Sequence, residues 1–86
     1  MPRVSTFFGI TVSMYYGDHP PPHFHVRYGD DEAVLRIDDR GLLRGRLPVR
    51  AMSLVAEWAA LHRDALVSNW ERARLGKPLE PIPPLK

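Results

Sequence analysis

The chain has 86 residues, of which 12 are lysine or arginine, 10 are acidic and none is cysteine, and its net charge is +2. One hydrophobic core serves a chain of this length, so we expect a single domain over residues 1–86. The lack of cysteine excludes disulfides, thiol nucleophiles and cysteine-ligated zinc, and it fits a location in the reducing cytoplasm. The small net charge does not by itself indicate a polyanionic partner, although ten of the twelve basic residues are arginine, whose planar fork suits phosphate.

An apolar stretch near the start, FFGITVSMYY at residues 7–16, bears on targeting. It is too short to span a bilayer and lacks a small-residue cleavage site. We therefore expect a strand there rather than a signal peptide or a membrane anchor, and we expect no membrane partner.

The pattern of residues 6–46 predicts four strands joined by short connections. In the first strand, apolar residues alternate strictly from Phe8 to Met14, which is typical of a half-buried strand. The second begins directly after a proline run that forces an extended backbone, and the turns GDD and DRG precede the third and fourth. Three short connections in a row favour an antiparallel meander. The expected strands are 6–16, 23–28, 32–38 and 42–46.

Residues 48–75 change to a helical period. Apolar residues recur at three- and four-residue steps, Pro48 suits the first helical turn, and Gly76 suits the end. One straight helix of that length would span about 40 Å, which is long for so small a domain. We therefore expect a break near His62–Asp64 and two helices. The expected fold class is α+β: a four-stranded antiparallel meander with two C-terminal helices packed on one face.

Three further features belong to this second half. Trp58 and Trp70 stand among alanines and leucines at helical spacing and are expected to anchor the core. His62 falls on the apolar side of the helical pattern and is expected in the core or at the break. The proline-rich tail, residues 76–86, is expected to be extended and to lie over an aromatic surface.

Strand alternation divides the expected sheet into two faces. The face toward the helices should carry Phe8, Ile10, Val12, Met14, Phe24, Val26, Tyr28, Ala33, Leu35, Ile37 and Leu43. The opposite face, called here the polar face, should carry Thr11, Ser13, Tyr15, His23, His25, Arg27, Arg36, Asp38, Arg44 and Arg46. An antiparallel sheet leaves one face in solvent whatever its function. Histidine, arginine and tyrosine are nevertheless the residues that titrate near neutral pH, bind phosphate and stack on bases.

The stretch DHPPPHFHV at residues 18–26 brings three histidines to this face. His23 and His25 project from the same side of one strand, and a loop stiffened by three prolines holds His19 nearby. Imidazoles can exchange protons with the 2′-hydroxyl and the leaving 5′-oxygen of RNA, and Arg27 would stabilise the phosphate. These four residues are the catalytic candidates of a metal-independent ribonuclease. The candidates for binding nucleic acid or a partner are Tyr15, Arg36, Arg44 and Arg46.

Two other interpretations of the polar face stay open. Without catalysis, the same surface would bind nucleic acid or an acidic partner protein. Alternatively, His19, His23 and His25 ligate zinc or another divalent ion, with Asp18 or Asp38 as a carboxylate ligand. The sequence also leaves the oligomeric state open, a homo-oligomer included.

The sequence around these histidines and in the helical region resembles that of a known family. Nearly the whole chain is similar to the small prokaryotic proteins of domain-of-unknown-function family 4160. The hallmark of that family, D-H-x-P-P-H-F-H-V, is matched by Asp18, His19, Pro21, Pro22, His23, Phe24, His25 and Val26, with Pro20 at the variable position. A second pattern, two tryptophans in the helical region with glutamate after the second, is matched by Trp58, Trp70 and Glu71.

The resemblance implies a context rather than an activity, because the family has no settled one. Its genes are often paired with a second small gene, in the manner of toxin–antitoxin modules. The resemblance therefore implies a small cognate protein encoded by the adjacent gene, with RNA as the target of a toxin. We expect a component of such a module that uses the polar face to bind RNA and, in the catalytic interpretation, to cleave it.

Overall fold

A computed structural model of the chain describes residues 2–86, and Met1 of the expected domain lies outside them. The described residues form a five-stranded antiparallel sheet, with the strands side by side in chain order, followed by two helices. The elements are β1 (Arg3–Phe7), β2 (Ile10–Ser13), β3 (His23–Tyr28), β4 (Asp31–Arg36), β5 (Leu42–Gly45), α1 (Val49–Leu61) and α2 (Arg63–Arg74). The α+β class, the antiparallel sheet and the two C-terminal helices are confirmed, whereas the expected count of four strands is wrong.

The additional strand arises because the stretch expected as one strand is a hairpin. β1 and β2 pair antiparallel and are joined by Phe8 and Gly9, whose φ angles of 49° and 77° lie in the left-handed region. This length and these φ angles fit a type I′ turn, which favours Asn-Gly. A phenylalanine in the first turn position therefore hides the turn within an apparent alternation of apolar residues. Phe8 is 59% exposed instead of buried, and Phe7 occupies the core.

The core lies between one face of the sheet and the helices. The strand residues that were expected in it and are buried are Ile10, Val12, Met14, Phe24, Val26, Ala33, Leu35 and Ile37. Two further expectations are wrong, because Tyr28 and Leu43 are each 37% exposed. Tyr28 is the last residue of β3, and Leu43 lies in the edge strand β5, whose four residues are all exposed. Both therefore lie at the margins of the sheet, where burial ends.

Trp58 joins the helical layer to the sheet. Its side chain is fully buried, with ring centroids 5.3 Å from Phe7 and 6.1 Å from Phe24. The helical layer is interrupted at His62, which ends α1 and precedes α2, and the ring of His62 lies 5.7 Å from that of Trp58. Neither α1 nor α2 is long and apolar enough to cross a membrane.

The proline-rich tail is held to the helices by two buried polar side chains. The Nε1–H of Trp58 donates to the carbonyl oxygen of Pro83 at 2.9 Å. The Asn69 side chain donates to the carbonyl oxygen of Glu80 at 2.8 Å and accepts from the backbone N–H of the same residue at 2.9 Å. Asn69 therefore satisfies its amide by pairing with backbone, although it is only 1% exposed.

The same tail reaches the outer edge of β1. The side chain of Ile82 is buried, and its backbone N–H donates to the carbonyl oxygen of Val4 at 2.8 Å. An edge strand with free backbone groups invites pairing with another chain. The tail therefore covers part of the β1 edge and limits such pairing.

The hairpin turn gives the first prediction. Phe8→Asn should raise the stability of the protein by about 0.5–1 kcal/mol, because asparagine tolerates the left-handed conformation that phenylalanine adopts there at a cost. The control Phe8→Ala removes the exposed ring without improving the backbone preference and should not stabilise. Urea unfolding measures both variants. Equal destabilisation by the two would show that the ring matters more than the turn.

Candidate functional site

Three polar side chains from β3 and from the loop before it converge at one point. The Oδ2 atom of Asp18 lies 2.9 Å from Nε2 of His23 and 3.1 Å from Nε2 of His25. One ligand atom from each residue lies within 4.8 Å of the other two. We call these three residues the Asp–His cluster. It combines a carboxylate with two imidazoles, the groups used in acid–base sites and in metal sites.

The local sequence explains why Asp18 returns to β3. Gly17 adopts a positive φ of 69°, which turns the chain after β2. The proline run was expected to be extended, but the chain bends at Pro20 and Pro21, whose peptide bond is cis, before β3 begins. The carbonyl oxygen of Pro22 accepts a hydrogen bond from the N–H of Ile37 at 3.0 Å. This bond continues the pairing of β3 with β4 and fixes the end of the loop to the sheet.

His23 has partners at both ring nitrogens. Its Nδ1 lies 2.7 Å from the carbonyl oxygen of Pro21, which can only accept, so Nδ1 carries the proton of this hydrogen bond. In a neutral ring, Nε2 then presents a lone pair to the carboxylate of Asp18 at 2.9 Å. Two acceptors at that separation repel each other unless a proton or a metal cation lies between them. A proton shared by the two groups, or a metal cation bound by both, therefore completes this contact.

The two histidines favour the charged form of Asp18. Partial burial is the largest single influence on the pKa of Asp18 and raises it, but the hydrogen bonds and charges of His25 and His23 together outweigh burial and lower the pKa. The pKa of Asp18 therefore lies below its ordinary value of 3.8. The carboxylate is ionised at neutral pH and accepts from the cluster.

The two imidazoles differ in their surroundings. His23 is only 8% exposed, and its ring centroid lies 5.1 Å from that of Trp70. α2 therefore reaches the first residue of β3. This differs from the sequence prediction, which put the tryptophan and the histidine on opposite faces of the sheet. His25 keeps a quarter of its side chain exposed, and the edge of its ring meets Tyr15 at a centroid distance of 4.6 Å. His25 is therefore the accessible member of the pair, and His23 is a packed one.

The other candidate catalytic residues lie outside the cluster. His19 is exposed and contributes no atom to it, so the carboxylate of Asp18 takes the place that the metal interpretation gave to His19. Arg27 is exposed and faces Glu32 at 3.5 Å. Arg36, a candidate for binding nucleic acid or a partner and not for catalysis, is the last residue of β4 and lies 4.0 Å from Asp39.

A row of cross-strand neighbours passes through His25 on the polar face. Successive strands of the sheet contribute residues that pair directly across it. Because directly paired residues point to the same face, the row lies on the side away from the core. Its members, in order from β1 to β5, are Arg3, Ser13, His25, Val34 and Arg44.

The sequence interpretation missed Arg3, because its pairing with Ser13 exists only if the first hairpin is recognised. A shallow depression of about 190 Å³ lies beside His25, with Arg3, Tyr15 and Arg27 among its lining residues. A second, of about 210 Å³, lies on the other side of His25 next to Arg44. Arg46, just after β5, donates its backbone N–H to the carbonyl oxygen of Glu32 at 2.9 Å, which continues the pairing of β5 with β4.

The lowered pKa of Asp18 gives the second prediction. A carboxyl whose pKa is depressed by folding adds stability above its unfolded-state pKa, and this stability is lost as the pH falls through the folded-state pKa. In metal-free protein, Asp18→Asn should therefore be less stable than wild type near pH 6, and the difference should shrink below about pH 4. Urea unfolding at several pH values measures this, with the exposed Asp30→Asn as control. A difference that is independent of pH would contradict the assigned role of Asp18.

Comparison with known protein families covers the part of the chain that contains this site. A family model described as "Domain of unknown function (DUF4160)" matches residues 9–71, which include the whole Asp–His cluster and both tryptophans. No curated protein and no solved structure matches the chain. Since the matched residues cover most of the sequence, this chain belongs to the DUF4160 family.

Proposed function

We propose that this chain is the RNA-binding component of a two-gene module of the toxin–antitoxin kind, and that it binds single-stranded RNA across the polar face of its sheet. The observation that supports this best is the row in which His25 lies between Arg3 and Arg44. Neighbouring strands are about 4.8 Å apart, so the two arginines are separated by about 19 Å along the row. An extended strand of several nucleotides can follow a surface of that length.

The charges of this surface suit phosphate. Within residues 2–86, the guanidinium groups of Arg3, Arg44 and Arg46 form no salt bridge. Arg27 has only the weak, exposed contact with Glu32. Arginine forks without a carboxylate partner can bind phosphate oxygens in bidentate fashion. The surface therefore offers binding groups for a nucleic-acid backbone even though the net charge of the chain is small.

Two rings at the centre of the face suit unpaired bases. Tyr15 and His25 meet edge to face and are both partly exposed. Aromatic rings on an open sheet stack on bases that are not paired, and this stacking tolerates different sequences. The rings therefore favour a single strand over a duplex.

Binding is favoured over cleavage by the state of the two histidines. Acid–base cleavage of RNA needs one group that accepts a proton and one that donates it. His23 is packed against Trp70 and has both nitrogens engaged, so it is poorly placed for either role. With His19 outside the cluster, His25 is the one accessible imidazole within it. We therefore propose a non-catalytic RNA-binding face.

The partner in the module is proposed on the family resemblance. A small protein encoded by the adjacent gene would regulate RNA binding most simply by covering the same arginines. Such a partner would present acidic side chains, because electrostatic complementarity sets the orientation and the rate of association.

The third prediction tests the face with a labelled single-stranded oligoribonucleotide. Arg3→Ala and Arg44→Ala should each weaken binding and lower the salt-dependence slope by about 0.7, the value for one phosphate contact on a single strand. Arg63→Ala removes the same charge from the start of α2 and should leave both quantities unchanged. Fluorescence anisotropy over a salt series measures them.

Three outcomes would contradict the proposal. Equal losses in all three variants would indicate attraction by net charge alone. Failure of the wild-type protein to bind the oligonucleotide at low salt, with binding of the neighbouring gene's product retained, would identify a protein-docking module instead. Shortening of the oligonucleotide by wild-type protein, abolished in His25→Ala, would identify a ribonuclease.

A further inference from the structure

We infer that Asp18, His23 and His25 form a binding site for one divalent ion of the late first-row metals, of which zinc is the representative. This inference goes beyond the proposed function and does not depend on RNA binding. It stands on the convergence of one carboxylate oxygen and two imidazole nitrogens within 4.8 Å of one another.

The separations within the cluster are close to those of ligands that share an ion. With metal–ligand bonds of about 2.0–2.1 Å, neighbouring ligand atoms lie about 3.0 Å apart in octahedral geometry and about 3.4 Å apart in tetrahedral geometry. Oδ2 of Asp18 lies 2.9 Å and 3.1 Å from the two Nε2 atoms. The two Nε2 atoms lie within 4.8 Å of each other, so a movement of the imidazoles toward each other would complete the coordination.

The carbonyl of Pro21 gives His23 the orientation that a metal ligand needs. Because Nδ1 of His23 donates to this carbonyl at 2.7 Å, the lone pair of Nε2 points into the cluster. A ligating histidine ordinarily fixes its tautomer through such a hydrogen bond from the other ring nitrogen. An ion at this point would also remove the repulsion between the Nε2 lone pair and the carboxylate of Asp18.

The cluster is held rigidly before any ion arrives. His23 and His25 belong to β3, which pairs with β2 on one side and with β4 on the other. Trp70 packs on the ring of His23, and Tyr15 packs on the ring of His25. Ligands fixed by packing and by hydrogen bonds lose little freedom on binding, which raises affinity.

The ligand types select the class of ion. Imidazole nitrogen favours zinc, copper, nickel and iron, whereas magnesium and calcium prefer an all-oxygen set. Three protein ligands leave one or more coordination positions for water. The side chains of Asp18 and His25 are 26% and 25% exposed, so those positions are accessible to solvent.

The fourth prediction is direct zinc binding by tag-free protein that has been stripped of metal. Isothermal titration with zinc should give one ion per chain, and cobalt should give the visible absorption of a coordinated ion. His25→Ala and Asp18→Ala should each weaken zinc binding by at least about tenfold, because each removes a ligand. The matched control His19→Ala removes an exposed histidine of the same motif and should bind zinc like wild type. Circular dichroism checks that each variant is folded.

Either of two results would overturn the inference. These are absence of zinc binding at one equivalent by folded wild-type protein, or zinc binding that survives His25→Ala and is lost in His19→Ala. The first would show that the cluster is a group of hydrogen-bonded side chains that does not bind a metal. Arg3→Ala and Arg44→Ala should bind zinc normally, so failure of the RNA proposal and failure of the metal inference give different patterns.

Discussion

Alternate side chains of β3 point to opposite faces of the sheet, so Phe24 and Val26 enter the core while His23 and His25 meet Asp18 on the other side. A slip of one residue in register would move the phenylalanine out of the core and turn both imidazoles into it. Pairing with β2 and with β4 opposes that slip, because β3 has a hydrogen-bonded neighbour on each side. The register that forms the core therefore also positions the Asp–His cluster.

His23 both packs against a helix and takes part in the Asp–His cluster. One side of its ring contacts Trp70 of α2, and its two nitrogens face the Pro21 carbonyl and the Asp18 carboxylate. Burial of a polar ring is tolerated because both nitrogens have partners. When the ring is neutral, these contacts set the Nε2 lone pair of His23 directly against the carboxylate of Asp18. A cation at the cluster, whether proton or metal, therefore contributes to the fit between helix, loop and sheet.

Much of this arrangement follows from the sequence, and the exceptions have identifiable causes. The alternation in β3 correctly places His23 and His25 on one side of their strand. The change of period after Pro48 predicts the helical region, and the length of that region correctly predicts two helices. The hairpin at Phe8 is missed because a bulky aromatic residue occupies a turn position that ordinarily holds asparagine. Without that hairpin, no sequence argument brings Arg3 to the polar face.

The composition of the cluster shows a second limit of sequence reasoning. Asp18 and His19 are adjacent in one loop, and either side chain has the chemistry of a ligand. Which of the two joins the cluster depends on the path of the loop after Gly17. That path points Asp18 toward β3 and leaves His19 exposed. The contact of Trp70 with His23 is likewise tertiary, since it depends on the direction that α2 takes after the break at His62. Periodicity within one element cannot supply either result.

The most direct test of the metal site at the Asp–His cluster is an anomalous-difference map at the zinc absorption edge, from crystals of tag-free protein grown with one equivalent of zinc. We predict one peak about 2.0–2.2 Å from Oδ2 of Asp18 and from Nε2 of His23 and His25, with Nδ1 of His23 still bonded to the Pro21 carbonyl. A map without a peak at these atoms, or with its peak at the exposed His19, would contradict this assignment.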